Sequence, residues 1–190
     1  MKKLFAMFVV ICALYTPAAT AQQLQNKEVI RSSFGAGEHW YGSVWVIGNI
    51  REDVPDNLNL FPGVGYKTDL WWVEGLWWQH WSSLGTRSAV DGRFGITHPK
   101  FSLYSELARF FETGDVYTFV IVERPVSNKV RVGVETENFL RKKDSVGGGP
   151  RASYTWGTLL KGPVVTSVSY QVRRAEPDAL RFQLTLNPRF

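Results

Sequence analysis

Two stretches carry the side chains best placed for chemistry. The first is Glu135-Thr136-Glu137, which follows the alternating Val130, Val132 and Val134. Two carboxylates two residues apart project to the same side of an extended segment. Crowding of like charges favours keeping one of them protonated, which suits a general base or a stabiliser of an oxocarbenium ion. The plain alternative is a solvated strand end. The second stretch is Leu70 to Trp81, which holds five of the eight tryptophans together with Glu74, Gln79 and His80. Indole faces bury large apolar areas and carry one N–H that needs a partner. Such a cluster is either the centre of a core or, with Asp69, Glu74 and Gln79 as hydroxyl partners, a stacking platform for a glycan.

Other common sites are missing from the chain. It has no Gly-x-x-x-x-Gly-Lys phosphate loop and no Gly-x-Ser-x-Gly nucleophile elbow. His39, His80 and His98 lack the spacing of a zinc ligand set, and no metal site is expected. Cys12 is the only cysteine.

The elements that must position these residues read as follows. Lys2 and Lys3, the apolar run Leu4 to Tyr15, and Ala19-Thr20-Ala21 form an export signal cleaved near Ala21. The run is too short for a spanning helix. This predicts a signal peptide over 1–21, a single β-rich domain over 22–190, and a secreted or periplasmic location. Cys12 leaves with the signal, so the mature chain has no thiol. Loss of Lys2 and Lys3 lowers the formal charge from +5 to +3. That is mildly basic, without the clustered Lys/Arg that nucleic acid requires.

Ser43 to Ile50 reads as a strand with both faces covered. Arg51 to Gly65 reads as turn and loop, and Ser82 to Gly95 as an irregular loop. Thr97 and Pro99 suit a helix start, Phe101, Tyr104, Leu107, Ala108 and Phe111 recur at three and four, and Gly114 suits a stop. A helix is predicted over 99–113. Val116 to Val122 reads as a doubly buried strand, and Arg141 to Pro150 as a mobile glycine-rich loop. Thr166 to Val172 and Leu180 to Leu186 alternate about a Glu176-Pro177-Asp178 turn, which predicts a C-terminal hairpin with one buried face.

The order of these elements resembles the bacterial mono-ADP-ribosyltransferase toxins of the cholera, heat-labile enterotoxin and pertussis type. Three segments carry the resemblance. They are Ser43 to Asp56, then Phe94 to Val122 with Ile96-Thr97-His98 in place of the family's Ser-Thr-Ser, and then the Glu135-x-Glu137 pair before Gly147-Gly148-Gly149-Pro150 and Trp156. The resemblance implies an α+β fold, a split mixed β-sandwich with an NAD cleft. Glu137 would stabilise the ribosyl cation and Glu135 would orient or deprotonate a protein acceptor. Arg51, Thr97 and Trp72 would contact NAD as co-substrate, although Val46 stands where the family's strand arginine is found. A catalytically degenerate relative, serving as a binding module or pairing with a partner subunit, is the other form of this reading.

Two alternatives come from the residues themselves. The chain ends at Phe190 after alternating apolar positions, and about eight strands of about ten residues would make an outer-membrane barrel of this length. Against the barrel stand the predicted helix, Pro188, and tryptophans massed in one stretch instead of two girdles. The third reading is a secreted carbohydrate-binding module built on the tryptophans.

Overall fold

A computed structural model describes residues 23–35, 37–51, 57–140 and 145–188. The segment 1–21, read as an export signal, lies outside the described residues. The chain forms eleven strands and, among the described residues, no helix. They are β1 (Gln23–Gly35), β2 (Trp40–Arg51), β3 (Asn57–Lys67), β4 (Trp71–Ser82), β5 (Gly85–His98), β6 (Phe101–Phe110), β7 (Val116–Pro125), β8 (Val130–Leu140), β9 (Ser145–Leu159), β10 (Gly162–Arg173) and β11 (Ala179–Leu186).

Each strand pairs antiparallel with the next, and the sheet closes on itself. Eleven is odd, so strands that alternate in direction bring β1 and β11 together running the same way. The seam is accordingly parallel, from Gln23↔Ala179 to Ile30↔Leu186. Closure leaves the sheet without a long free edge. The end of the barrel that holds the start of β1 is called the lower end here. It also carries the turns 83–84 and 174–178. The upper end carries the turns 99–100 and 160–161.

The split β-sandwich with a helix is therefore corrected to an all-β closed barrel. The segment read as a helix over 99–113 is β6 and the turn after it, paired from Ala89↔Phe110 to His98↔Phe101 on one side and from Ser102↔Glu123 to Arg109↔Val116 on the other. Its apolar residues fall on both faces: Tyr104, Ala108 and Phe110 point into the barrel, while Phe101 and Leu107 lie exposed outside. Apolar residues at 101, 104, 107, 108 and 111 imitate a period of 3.6 when both faces of a strand are apolar. The same effect accounts for Val116 to Val122. In β7, Tyr117 and Phe119 are buried in the lumen and Val122 is exposed outside.

The glycine-rich segments read as loops are also strand. Phe61 to Gly65 lies in β3, Arg87 to Gly95 in β5, and Gly147 to Gly149 in β9. Glycine serves here by letting large neighbours cover the backbone. A Cβ on Gly95 would overlap the Trp72 indole, and one on Gly65 would overlap the Tyr41 ring. Both rings lie on the lumen side and are stacked against those bare stretches.

The lumen holds buried polar and charged side chains together with an apolar cluster that includes Trp45, Phe61, Trp78, Phe110 and Phe119, while many large apolar residues face outward. In β10 and β11, Ser167, Ser169, Gln171 and Arg181 are buried, whereas Val172, Phe182 and Leu184 are exposed. The hairpin pairs from Val164↔Leu186 to Gln171↔Ala179, and the face it buries is the polar one. In β4, Glu74, Leu76 and Trp78 are buried, and Trp71, Val73, Trp77 and Trp81 are exposed.

Gly95→Ala is expected to lower stability by about 1–3 kcal/mol, since Trp72 must leave its rotamer to admit the methyl. Thermal unfolding of the variant against wild type checks this, and an unchanged midpoint would show that the indole does not rest on the glycine.

Candidate functional site

The lumen is the candidate site, and its chemistry is ionic. Period-two alternation places the side chains of every second residue inside. As a result, short spacings in sequence become neighbours in the lumen: Asp91-x-Arg93, Tyr104-x-Glu106, Glu135-x-Glu137, Ser169-x-Gln171.

Three connected groups fill it. In the upper part, the Arg31 guanidinium donates to Glu74 Oε1 at 2.5 Å and to the Tyr41 hydroxyl at 3.1 Å. Glu74 also accepts from Ser43 Oγ at 2.9 Å and from Trp45 Nε1 at 2.7 Å. Arg31 lies over the Trp72 ring at 4.3 Å. In the second group, Arg93 donates to Asp91 Oδ2 at 2.8 Å and to Glu106 Oε1 at 3.3 Å. Its guanidinium is sandwiched at 4.2 Å from both Trp45 and Phe61. The Tyr104 hydroxyl completes Glu106 at 2.8 Å.

The third group contains both predicted catalytic glutamates. Glu135 is fully buried. It accepts from Arg151 NH1 at 2.6 Å, Arg181 NH1 at 3.2 Å, Ser169 Oγ at 2.6 Å and Gln171 Nε2 at 2.7 Å. Arg151 also binds Glu123 at 3.0 Å. Glu137 accepts a short hydrogen bond from Arg181 NH2 and one from the Tyr117 hydroxyl at 2.9 Å. Arg173 stands 3.7 Å from it. Every one of these carboxylates faces a guanidinium, the condition under which buried charge is tolerated.

The predicted NAD contacts do not join the glutamates. The backbone of Arg51 pairs with Gln25 at the lower end of the barrel. Its side chain lies outside the described residues. Thr97 is exposed at the upper end, paired with Ser102. Trp72 faces the upper lumen beneath Arg31. The structure thus gathers Glu135 and Glu137, and places Arg51, Thr97 and Trp72 apart from them and from one another.

The tryptophan stretch divides between two roles. Trp72 and Trp78 point into the lumen, and Trp71, Trp77 and Trp81 point out. Sequence reasoning missed the arginines Arg31, Arg93, Arg151 and Arg181. Their signal was alternation, clearest for Arg181, which sits two positions from Gln183 on a strand whose other face is Leu180, Phe182, Leu184 and Leu186.

Below the ionic groups the lumen opens into a cup of about 390 Å³. Gln25, Lys27, Asn59, Trp78, His80 and Arg181 are among the residues lining it. Asn59 Oδ1 accepts from Trp78 Nε1 and faces His80 Nδ1, both at 2.8 Å, and Asn59 Nδ2 donates to Asn57 at 2.9 Å.

Glu135→Gln sets its amide NH2 either against Arg151 or against Arg181, Ser169 and Gln171, whichever oxygen it replaces, and removes the charge all four donors share. It is expected to cost about 3 kcal/mol or more, read as a lower urea midpoint, and an unchanged midpoint would show that this carboxylate does not hold the strands together. No protein-family model, curated protein or solved structure matches the chain, so its function is read from the barrel's own residues.

Proposed function

We propose that the protein is a membrane-spanning β-barrel of the outer-membrane type, with a plugged lumen and a cup in its lower part. The observation that carries this reading is the inverted alternation. Charged and hydroxyl side chains are packed inside, and the outside is a belt of large apolar residues that includes Val64, Val73, Val90, Leu107, Val122, Val134, Val172 and Phe182. An exposed apolar surface of this extent is unfavourable in water and favourable against lipid tails.

The aromatic residues support the same reading. Five of the eight tryptophans, Trp40, Trp71, Trp77, Trp81 and Trp156, are exposed. Strand β4 runs the whole height of the wall, so Trp71 and Trp81 reach opposite ends even though they lie in one stretch of sequence. Phe34, Trp40, Trp71 and Phe101 mark the upper rim, and Trp81 and Phe111 the lower. Amphipathic rings at both rims suit the two interfaces of a bilayer. Strands β1 to β10, of 10 to 15 residues, are long enough to cross it at a tilt, and β11, of 8, is slightly shorter. Asn26 and Glu28 are exposed on β1 and interrupt the belt near the parallel seam. An export signal over 1–21 supplies the route that such a barrel requires.

A diffusion pore would leave its lumen side chains in water. Here Glu74, Arg93, Glu135 and Gln171 are each at most 1 % exposed, which favours a blocked barrel.

The protein is expected in the membrane fraction, to need detergent for extraction, and to migrate differently on gels with and without boiling. Recovery as a soluble monomer without detergent would overturn the proposal. Val134, 54 % exposed in the middle of β8, gives a sharper test. Val134→Arg should cost about 2–4 kcal/mol if that face meets lipid, and within about 0.5 kcal/mol if it meets water. Reconstitution in planar bilayers should give no porin-scale conductance.

A further inference from the structure

Two donors on residues lining the cup at the lower end have no hydrogen-bond partner among the described residues. Gln25 is 4 % exposed, and its Oε1 accepts from Arg181 NH2 at 3.0 Å and from Arg173 NH2 at 3.2 Å. Guanidinium groups only donate, so they fix the amide with its oxygen toward them. The Nε2 group is thereby turned away, buried, and, among the described residues, without a hydrogen-bond partner. Leaving a buried amide N–H unpaired is costly, and natural structures leave few such groups without a ligand or water.

Lys27 lies two residues on, on the same lumen-facing side of β1, and also lines the cup. Its ammonium stands 5.0 Å from the Phe119 ring centroid. Among the described residues, no side chain or carbonyl hydrogen-bonds to it and no carboxylate lies within ion-pair distance. Arg181, by contrast, is already bound to Glu135 and Glu137.

The wall across the lumen is aromatic. Strands β6 and β7 lie opposite β1 in the ring of eleven. Trp78 packs against Phe110 at 4.8 Å and Tyr117 at 5.4 Å, and Tyr117 against Phe139 at 4.7 Å. All four line the cup, whose 390 Å³ lies in the range of small-molecule sites.

We propose that the cup is a binding site for a small organic anion with a ring body. Its anionic oxygens are held by Lys27 Nζ and Gln25 Nε2, and its ring lies against Trp78 and Phe110. The site stands on the barrel's interior alone, so it does not depend on whether the outside meets lipid.

The test is calorimetric titration of the folded full-length barrel, in detergent or in buffer as its solubility dictates, with benzoate, phenyl phosphate, acetate and benzyl alcohol. Benzoate or phenyl phosphate should bind at least about tenfold tighter than benzyl alcohol, which lacks the charge, and than acetate, which lacks the ring. The comparison of the two aromatic anions tells a carboxylate ligand from a phosphoryl one, and either meets the proposal. Lys27→Met should weaken binding of the preferred anion by at least about tenfold while leaving the thermal midpoint close to wild type. Equal binding of the charged and neutral ring compounds, binding that survives Lys27→Met unchanged, or no binding of either aromatic anion would overturn it. The ligand comparison on wild type decides the matter even if the variant fails to fold.

Discussion

Arg181 stands where the barrel closes. From β11 it reaches Gln25 on β1 across the parallel seam, and Glu135 and Glu137 on β8 across the lumen. The backbone ladder alone cannot choose which side of a closed sheet faces inward. Side chains choose, and here the inward choice is an ionic one. A buried guanidinium or carboxylate is unfavourable by several kcal/mol unless it is paired and hydrogen-bonded. Arg31, Arg93, Arg151 and Arg181 each meet at least one carboxylate, and Glu135 gathers four donors. Since these partners come from strands far apart in sequence, the network is satisfied only when the barrel has closed in this register.

Once the inside is polar, the outside follows. With a side-chain period of two, inward Glu74, Asp91, Glu123 and Arg181 leave Val73, Val90, Val122 and Phe182 on the other face. The wall is then largely apolar, broken at Asn26 and Glu28 beside the seam, and aromatic at its two rims. The lumen has a gradient of its own. The upper and middle parts are filled by stacked guanidinium and indole groups, and the lower part holds a cup lined by Lys27, Gln25 and the Trp78–Phe110–Tyr117 wall. One chain therefore presents a largely apolar exterior, an interior of paired charges and aromatic rings, and a recess in the lower lumen.

Much of the strand content was legible. The runs Thr166–Val172 and Leu180–Leu186 alternate cleanly, and the structure pairs them as a hairpin. What the alternation did not tell is which face is the inside, because a period of two looks the same for a soluble sheet and for its inverse. The choice appears only when all strands are compared and the polar faces prove able to satisfy one another. The helix over 99–113 was misread for a related reason: in β6 the lumen face carries Tyr104, Ala108 and Phe110 while the outer face carries Phe101 and Leu107. The glycines of β3, β5 and β9 imitated loops because their function is to let Tyr41, Trp72 and backbone neighbours approach, which depends on residues remote in sequence. Glu135 and Glu137 did prove to share one face, as their spacing implied. Arg51 and Thr97, joined to them only through a resemblance in element order, lie at opposite ends of the wall.

The central claim is that the apolar wall, with most of its indoles, faces hydrocarbon while the charges face inward. Tryptophan fluorescence in reconstituted vesicles, quenched in turn by lipids brominated along their tails and by aqueous acrylamide, tests it most directly. Strong quenching by the brominated tails, with weak quenching by acrylamide, is the expected result. Ready quenching by acrylamide together with indifference to the brominated lipid would place the wall in water and contradict the account.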